Sequence, residues 1–462
     1  MFKSRRKLVI GKNKPRQRKQ PVSVLWILLS VPLVLIISEL LVRLFFSFTG
    51  KPENLVGEQD NSPLSQAYQL QFLTNNQPIQ GLSEGGSLKV ERNPTMGYHL
   101  VPNQESQFWR INEQGWREEA AIPRNKPNNE IRVFILGGSS AFGYGSDSNQ
   151  DTIAQKLEQR LNQRVQAQQS QPDQYQPPVL PYYKPDRERL LQKTPRLREG
   201  NYQVINAAVP GYASGNQLAQ LALQILPYNP DLIIVISGYQ DLMLPGDQSF
   251  AEIPLIETYL SDAPKHFRAY LRKPINNWAQ KSDLAQLATA WMKTPPVKMT
   301  QETLVLNPNP TEPLGAYLPQ QPSELVERVE RYRQNNLQMV RLAAGAGLPI
   351  ISAVQPEITG RNLESELPRQ EQEIINELGT DYIQEVQNAY TELRKANAQL
   401  EQIFPRNVDS VNLYPIYAQF PNQAFINPIY LTPEANTAAA ERLYEEIAQI
   451  PKMQIVPREP GT

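Results

Sequence analysis

Two residue types that often carry chemistry in enzymes are absent or nearly absent from this chain. Its 462 residues include no cysteine and only two histidines, His99 and His266. Without cysteine, the chain has no disulfide, no thiolate metal site and no cysteine nucleophile. Two histidines so far apart in the sequence also disfavour a histidine-based metal site. We therefore expect no metal and no cofactor.

An excess of one charge sign is also missing, since 46 Lys and Arg balance 46 Asp and Glu. The balance is uneven along the chain, because residues 1–20 hold nine basic residues and no acidic one. The remainder carries 37 basic against 46 acidic side chains, a net charge of about −9. A main body of that sign argues against nucleic acid as a partner.

The N-terminal region has the pattern of a membrane anchor. Residues 21–48, which follow the basic segment 1–20, are mostly apolar and longer than a bilayer-spanning helix requires. Basic flanks stay in the cytoplasm, so we expect a single pass through the plasma (inner) membrane with the rest of the chain outside the cytoplasm. A cleaved signal peptide is the alternative. Its apolar region is normally shorter, and a small-residue cleavage site is not evident here.

Composition and turn signals divide the remaining chain into parts. The predicted parts are a stalk with a small lead-in element (49–125, with a hairpin-like pattern at 93–117), a main domain (126–450) and a tail (451–462). Two insertions are predicted in the main domain, at about 163–200 and 244–322. The first is rich in Gln, Pro and Arg, and we expect it to have little order.

Three apolar runs in the main domain lead into glycine turns. They end before Gly137-Gly138, before Gly211 and at Gly238. Uninterrupted apolar runs are typical of parallel strands covered on both faces, and helical patterns follow the first two. The order of strands and helices predicts an α/β fold with a doubly wound parallel sheet, three-layered and flavodoxin-like. Further strands are predicted at 348–354 and 408–413, and helices at 323–344, about 369–403 and 432–450.

Ser139 stands directly after the first of these strands, where open α/β sheets place their chemistry. A strand, a glycine turn, a serine and a helix expose a nucleophile at the carboxyl edge of the sheet. The alternative is a strand-to-helix turn in which small residues serve packing alone.

Three sequence blocks resemble those of the SGNH (GDSL-type) hydrolases. The first is Gly137-Gly138-Ser139-Ser140-Ala141-Phe142-Gly143, the second Val209-Pro210-Gly211-Tyr212 and the third Gly238-Tyr239-Gln240-Asp241. The resemblance implies that Ser139 is the nucleophile and that the amides of Ser139 and Gly211 are oxyanion donors. It places Gln240 where the family has an asparagine donor, on a longer arm.

The fourth block of the family, Asp-x-x-His, is altered in this chain. Its flanks survive, and Asn427 stands in place of the aspartate and Tyr430 in place of the histidine. A serine hydroxyl needs a base that accepts a proton near neutral pH, whereas tyrosine has an ordinary pKa of about 10. Asparagine does not stabilise an imidazolium. The sequence therefore predicts an impaired triad.

Together with the predicted anchor, the resemblance implies a membrane-tethered esterase, or an O-acyl hydrolase or transferase, that acts outside the cytoplasm on envelope glycans or lipids. Such an enzyme needs a base from elsewhere, and His99 and His266 are the two imidazoles available. The alternative is a non-catalytic domain that binds a glycan or an acylated ligand, or serves as a scaffold in envelope polysaccharide assembly, with Tyr430 on the cleft wall. Phosphate or dinucleotide binding is disfavoured because neither glycine-rich motif for it occurs at these turns.

Overall fold

The computed structural model describes residues 63–74, 77–79, 86–253 and 313–459, with five further positions between 38 and 44. The predicted anchor, residues 21–48, lies outside the described residues apart from those five positions. Within the described ranges, no helix combines the length and apolar character needed to cross a bilayer. Every element below belongs to one compact unit, residues 58–271 and 297–462.

Thirteen strands are assigned in the described part of the chain. In chain order they are β1 (Leu70–Thr74), β2 (Gln77–Pro78), β3 (Leu88–Asn93), β4 (Gly97–Leu100), β5 (Gln104–Glu105), β6 (Arg110–Ile111), β7 (Glu130–Gly137), β8 (Arg196–Leu197), β9 (Asn201–Asn206), β10 (Leu232–Ser237), β11 (Ile350–Val354), β12 (Val408–Asn412) and β13 (Gln454–Ile455).

The α-helices of the same unit alternate with the longer strands. They are α1 (Pro63–Tyr68), α2 (Ser139–Phe142), α3 (Ile153–Ser170), α4 (Lys184–Leu191), α5 (Ser214–Gln220), α6 (Tyr239–Met243), α7 (Pro322–Gly345), α8 (Arg369–Ile403) and α9 (Pro433–Ile447).

The central sheet has five strands in the order β12-β11-β10-β7-β9, and every neighbouring pair is parallel. Numbered along the chain, these strands lie in the order 2-1-3-4-5, which is that of flavodoxin-like folds. The predicted parallel α/β sheet is confirmed. The order reverses between β7 and β10, and in open α/β sheets such a switch point is where ligands bind.

Helices cover both faces of this sheet, because side chains along each strand alternate between the faces. On one face, Val133 and Ile135 of β7 share a hydrophobic core with Leu157 and Leu161 of α3. On the other face, Phe134 and Leu136 pack in a core that includes residues of α7, such as Met339 and Val340. The three-layer arrangement follows from this alternation.

The long helices lie close to their predicted positions. Helix α7 begins at Pro322 and α9 ends at Ile447, each within three residues of the predicted limit. Helix α8 is interrupted at Gly379, whose φ of 78° and ψ of 165° are not helical. Glycine adopts that conformation at little cost because it has no Cβ.

The lead-in is part of the folded domain, whereas a stalk was predicted for much of it. The predicted hairpin-like segment, 93–117, contains the antiparallel pair β5–β6. It also contains β4, which pairs with β3 and so joins β1 and β2 in a four-stranded sheet. Buried side chains of the lead-in, such as Tyr68 and Ile111, belong to the same hydrophobic core as the central sheet. The predicted boundary at residue 125 is therefore not a break in packing.

The prediction of little order for residues 163–200 is wrong. Helix α3 extends to Ser170, α4 lies further along, and β8 pairs with β13 near the end of the described chain. Leu180 and Leu197 are buried in this insertion. The prediction rested on the polar average composition of the segment. Its few buried apolar residues, and its pairing with the distant strand β13, are not visible in that average.

We predict that Gly137→Ala destabilises the chain. An added Cβ would lie 2.4 Å from Cβ of Ala141 and 2.6 Å from the carbonyl oxygen of Ile236. We expect the free energy of unfolding in urea to fall by about 1–3 kcal/mol. Gly345→Ala at the end of α7 is the control, since nothing lies within 4 Å of its added Cβ. Equal stability of Gly137→Ala and the native chain would contradict this close approach.

Candidate active site

Ser139 begins the short helix α2, immediately after β7 and at the switch point of the sheet. Gly143 ends the helix with a φ of 82°, and its amide donates to the carbonyl oxygens of Ser139 and Ser140. The amide of Tyr144 also donates to the carbonyl oxygen of Ser139, at 3.0 Å. The turn therefore fixes the backbone on both sides of the predicted nucleophile, which is buried.

The turn at residues 209–212 brings the second predicted site residue to the serine. The amide of Gly211 donates to Oγ of Ser139 at 3.3 Å. The amide of Val209 donates to the carbonyl oxygen of Gly137 at 3.1 Å, which attaches this turn to the end of β7. An amide beside the serine oxygen is suited to donate to the carbonyl oxygen of an ester that Ser139 attacks, where the negative charge develops.

The third block lies at the end of β10, the neighbour of β7. Gly238 has a φ of 128°, and Gln240 in α6 is buried. The carboxylate of Asp241 accepts hydrogen bonds from the amide and hydroxyl of Ser214, the first residue of α5. Burial raises the pKa of Asp241, and the hydrogen bonds from Ser214 oppose that shift. Asp241 therefore joins the third block to the helix that follows the second.

In the fourth block, the side chains of Asn427 and Tyr430 both make contacts with neighbouring protein groups. Oδ1 of Asn427 accepts hydrogen bonds from the amides of Ile429, at 3.0 Å, and Tyr430, at 2.7 Å. The ring of Tyr430 stacks on Tyr144, with 4.3 Å between centroids and 27° between planes. Tyr430 is 4% exposed and Tyr144 8% exposed. The ring at the position where the resemblance expects a histidine is packed against the segment after Ser139, instead of forming an open cleft wall.

A buried ion pair holds the segment that leads into Asn427. Nε of Arg361 and Oε2 of Glu371 are 2.9 Å apart, although the two groups are not aligned as a hydrogen bond. Oε1 of Glu371 accepts hydrogen bonds from the amides of Ala424 and Phe425 at 2.7 and 2.8 Å. Nη1 of Arg361 donates to the carbonyl oxygen of Tyr417 at 2.6 Å. Sequence reasoning did not identify this pair, because no local pattern links residues so far apart.

A second buried carboxyl group lies beside the fourth block. The amide of Ile358 donates to the carbonyl oxygen of Pro428 at 2.8 Å. The preceding residue, Glu357, accepts from the amide of Thr359 at 2.7 Å and from the hydroxyl of Tyr382 at 3.3 Å. Burial raises the pKa of Glu357 to about 7. Both carboxyl oxygens accept hydrogen bonds in the protein interior, so Glu357 is not free to act as the base for Ser139.

His99 does not face Ser139 as a base in the described part of the chain. His99 lies on β4 beside Tyr98, whose hydroxyl donates to the carbonyl oxygen of Pro210 at 2.7 Å. Because side chains alternate along a strand, His99 points to the opposite face of its sheet. Burial lowers the pKa of His99, opposed by Glu91. His266 lies outside the described residues.

Comparison with known proteins identifies similar folds and no close relative. No protein-family model and no curated protein sequence matches the chain. It aligns over 69% of its length with 95% of a lipase/acylhydrolase from Enterococcus faecalis, at 12% identity and a TM-score of 0.34. An acetylxylan esterase from Geobacillus stearothermophilus aligns over 70% of this chain and 96% of its own, at 9% identity and a TM-score of 0.33.

A third solved structure, from Desulfitobacterium hafniense, is assigned to the G-D-S-L family of lipolytic proteins. It aligns over 68% of this chain and 98% of its own, at 11% identity and a TM-score of 0.32. The family named for this third structure is the one that the sequence blocks resemble. Identities and TM-scores this low transfer no activity to this chain, and its fold class rests on its own strand order.

We predict that ionisation of Glu357 destabilises the chain as the pH rises. Its pKa of about 7 lies above its ordinary value of 4.5, so the folded chain holds this proton more tightly than the unfolded chain. The stability contributed by Glu357 is complete below the ordinary pKa and is lost as the pH rises through the folded pKa. Glu357→Gln should reduce the fall in the free energy of unfolding between about pH 5 and pH 7.

The control for this measurement is Glu330→Gln. Hydrogen bonds from Arg333 and Gln334 lower the pKa of Glu330, so this carboxylate stays ionised throughout the same pH range. Urea unfolding at several pH values measures the slope for all three chains. An unchanged slope in Glu357→Gln would show that the Glu357 proton does not contribute.

Proposed function

We propose that this chain is an SGNH-type hydrolase-fold protein that keeps the serine and oxyanion half of an ester-hydrolysing centre and lacks its base. One pair of contacts supports the proposal. Gly211 donates to Oγ of Ser139, and Tyr430, in the place of the histidine, is stacked on Tyr144. The ester chemistry of such a centre is therefore strongly impaired at neutral pH.

The physical reason is the missing proton acceptor. A serine hydroxyl attacks an ester when a neighbouring base takes its proton, and histidine is suited to this near pH 7. Tyrosine, with an ordinary pKa of about 10, remains protonated. Asn427 uses its side-chain oxygen for two backbone amides, so it is not positioned as a carboxylate partner. Oxyanion stabilisation alone leaves only a residual rate.

We further propose that the domain lies outside the cytoplasm, tethered to the inner membrane by residues 21–48. The nine basic residues before that segment and its length support this orientation. The ligand class in this proposal is an acylated glycan or lipid of the cell envelope. An ester-bearing ligand is what a serine with an adjacent amide donor is suited to accept.

A second candidate is a non-catalytic domain that binds a glycan or serves as a scaffold in envelope polysaccharide assembly. The packing of the fourth block supports it, because Asn427 and Tyr430 are satisfied by neighbouring groups without a base. The two candidates share the fold and differ in whether Ser139 performs chemistry.

The first test is hydrolysis of a short activated acyl ester by the native chain and by Ser139→Ala. Loss of the base of a serine triad lowers kcat by on the order of 10⁶. We therefore expect no serine-dependent turnover above the rate of Ser139→Ala. Robust turnover by the native chain alone would show that another group acts as the base, and His99→Ala and His266→Ala would then identify it.

The second test restores the family residues with Asn427→Asp and Tyr430→His together. The aspartate can keep the bonds to the amides of Ile429 and Tyr430, since a carboxylate accepts both. We expect serine-dependent kcat to rise about 100-fold or more, within the range that a positioned base contributes. Asn427→Asp alone is the matched control and should stay inactive. A folded double variant without turnover would favour the binding candidate.

A further inference from the structure

Two consecutive buried residues at the end of the lead-in reach toward two different site turns. Arg117 is 1% exposed and Glu118 6% exposed, although both are charged residue types. They follow a tight turn in which Oδ1 of Asn112 accepts from the amide of Trp116 at 3.0 Å and Gly115 has a φ of 80°. The turn delivers the two side chains to the carboxyl edge of the central sheet.

Arg117 binds the helix that begins with Ser139. Its Nη1 donates to the carbonyl oxygens of Phe142, at 3.1 Å, and Gly143, at 2.7 Å, at the C-terminal end of α2. A cation at that end complements the helix dipole. Nε donates to Oδ1 of Asn149 at 2.9 Å and Nη2 to the hydroxyl of Tyr68 at 2.7 Å. One guanidinium therefore ties the serine helix to the lead-in and to the loop before α3.

Glu118 binds the strand that leads to Gly211. Its Oε1 accepts a hydrogen bond from the amide of Asn206 at 2.8 Å, and the amide of Arg117 donates to the carbonyl oxygen of Asn206 at 3.0 Å. Nδ2 of Asn206 in turn donates to the carbonyl oxygen of Phe142 at 3.2 Å. The same dipeptide thus holds the end of β9 and the end of α2 together.

We propose that Arg117 and Glu118 are positioning residues that set the separation between Oγ of Ser139 and the amide of Gly211. The proposal rests on the proposed function for the role of that amide as an oxyanion donor. Neither residue touches the reacting atoms. Each acts through the backbone, Arg117 through the end of α2 on the serine side and Glu118 through the end of β9, which leads to Gly211.

The distance between Oγ of Ser139 and the amide of Gly211 matters because the ester that Oγ attacks must place its carbonyl oxygen within reach of that amide. Oxyanion donors act over a narrow range of distance. Donors are effective at about 2.7–3.1 Å from the developing charge, and a displacement of about 1 Å can lower a rate on the order of 100-fold. The two turns follow the paired strands β7 and β9, and the bond from the amide of Val209 to Gly137 joins them close to the sheet. Arg117 and Glu118 add a second connection, between α2 and the end of β9, which limits the movement of the serine helix relative to the first.

Hydrogen exchange on the full chain separates this role from simple anchoring of the lead-in. Arg117→Lys keeps the charge and loses the fork that reaches several carbonyl oxygens. We expect amide exchange to accelerate about tenfold or more in both 137–146 and 206–213, with the rest of the central sheet unchanged. The matched control is Arg160→Lys, an arginine paired with Glu441 elsewhere on the domain. Acceleration confined to the lead-in, or the same acceleration in the control, would overturn the proposal.

A second pair of variants keeps the test decisive if Arg117→Lys does not fold. Burial raises the pKa of Glu118 to about 8, so the group is mostly protonated at neutral pH and Glu118→Gln resembles it closely. Glu118→Gln should leave exchange in 206–213 unchanged, whereas Glu118→Ala should accelerate it about tenfold or more. Equal exchange in the two variants would show that the hydrogen bond to Asn206 does not position the turn.

Activity in the chain with Asn427→Asp and Tyr430→His supplies a separate measurement. Adding Arg117→Lys to that chain should lower kcat about tenfold or more with KM changed less than about twofold, because the donor acts in the transition state. An equal loss from Arg160→Lys would overturn the assignment. If the chain with Asn427→Asp and Tyr430→His shows no turnover, the proposed function is wrong. The positioning role of Arg117 and Glu118 is then tested by the hydrogen-exchange measurements alone.

Discussion

At Gly137, the backbone of β7 lies so close to β10 that only hydrogen fits between them. A Cβ there would lie 2.6 Å from the carbonyl oxygen of Ile236 and 2.4 Å from Cβ of Ala141. The carbonyl oxygen of the same residue accepts the amide of Val209 from the opposite side. Both turns of the candidate site depend on this contact, because it fixes where α2 begins and where the path to Gly211 passes.

The segments of the candidate site are held by buried polar side chains. Most of their hydrogen bonds go to backbone groups, and few go to other side chains. Asp241 holds the start of α5, and Glu371 with Arg361 holds the segment before Asn427. Removing one partner of such a pair leaves an unsatisfied charge in the interior, which costs about 3–5 kcal/mol. The chain therefore keeps costly buried polar groups next to the segments that carry the candidate site.

Sequence patterns predicted the parts of this fold that repeat at short range. The apolar runs before Gly137 and Gly238 indicated buried parallel strands, and the helices predicted at 323–344 and 432–450 lie within a few residues of α7 and α9. The blocks around Ser139 and Gly211 placed two residues that the structure joins by a hydrogen bond. The substitutions at Asn427 and Tyr430 were visible in the sequence, but the stacking partner Tyr144 was not.

What could not be predicted depends on contacts between distant residues. Arg117 and Glu118 were part of a turn-rich segment, and nothing in its composition indicated that both side chains are buried. The same holds for the insertion at residues 163–200, whose order comes from a strand pair with β13. Side-chain to backbone bonds of this kind follow no periodicity, so a single sequence gives no signal for them.

The pairing of β8 with β13 has a consequence for how the chain acquires its structure. Arg196 and Ile455 are partners in this small sheet, and α3 packs on α9 in the same part of the fold. Contacts with such a large separation form slowly, because a long loop must close before they are gained. The insertion stays without its strand partner until residue 455 has been synthesised. Until then Leu197, which is buried in the folded chain, lacks the part of its cover that β13 supplies.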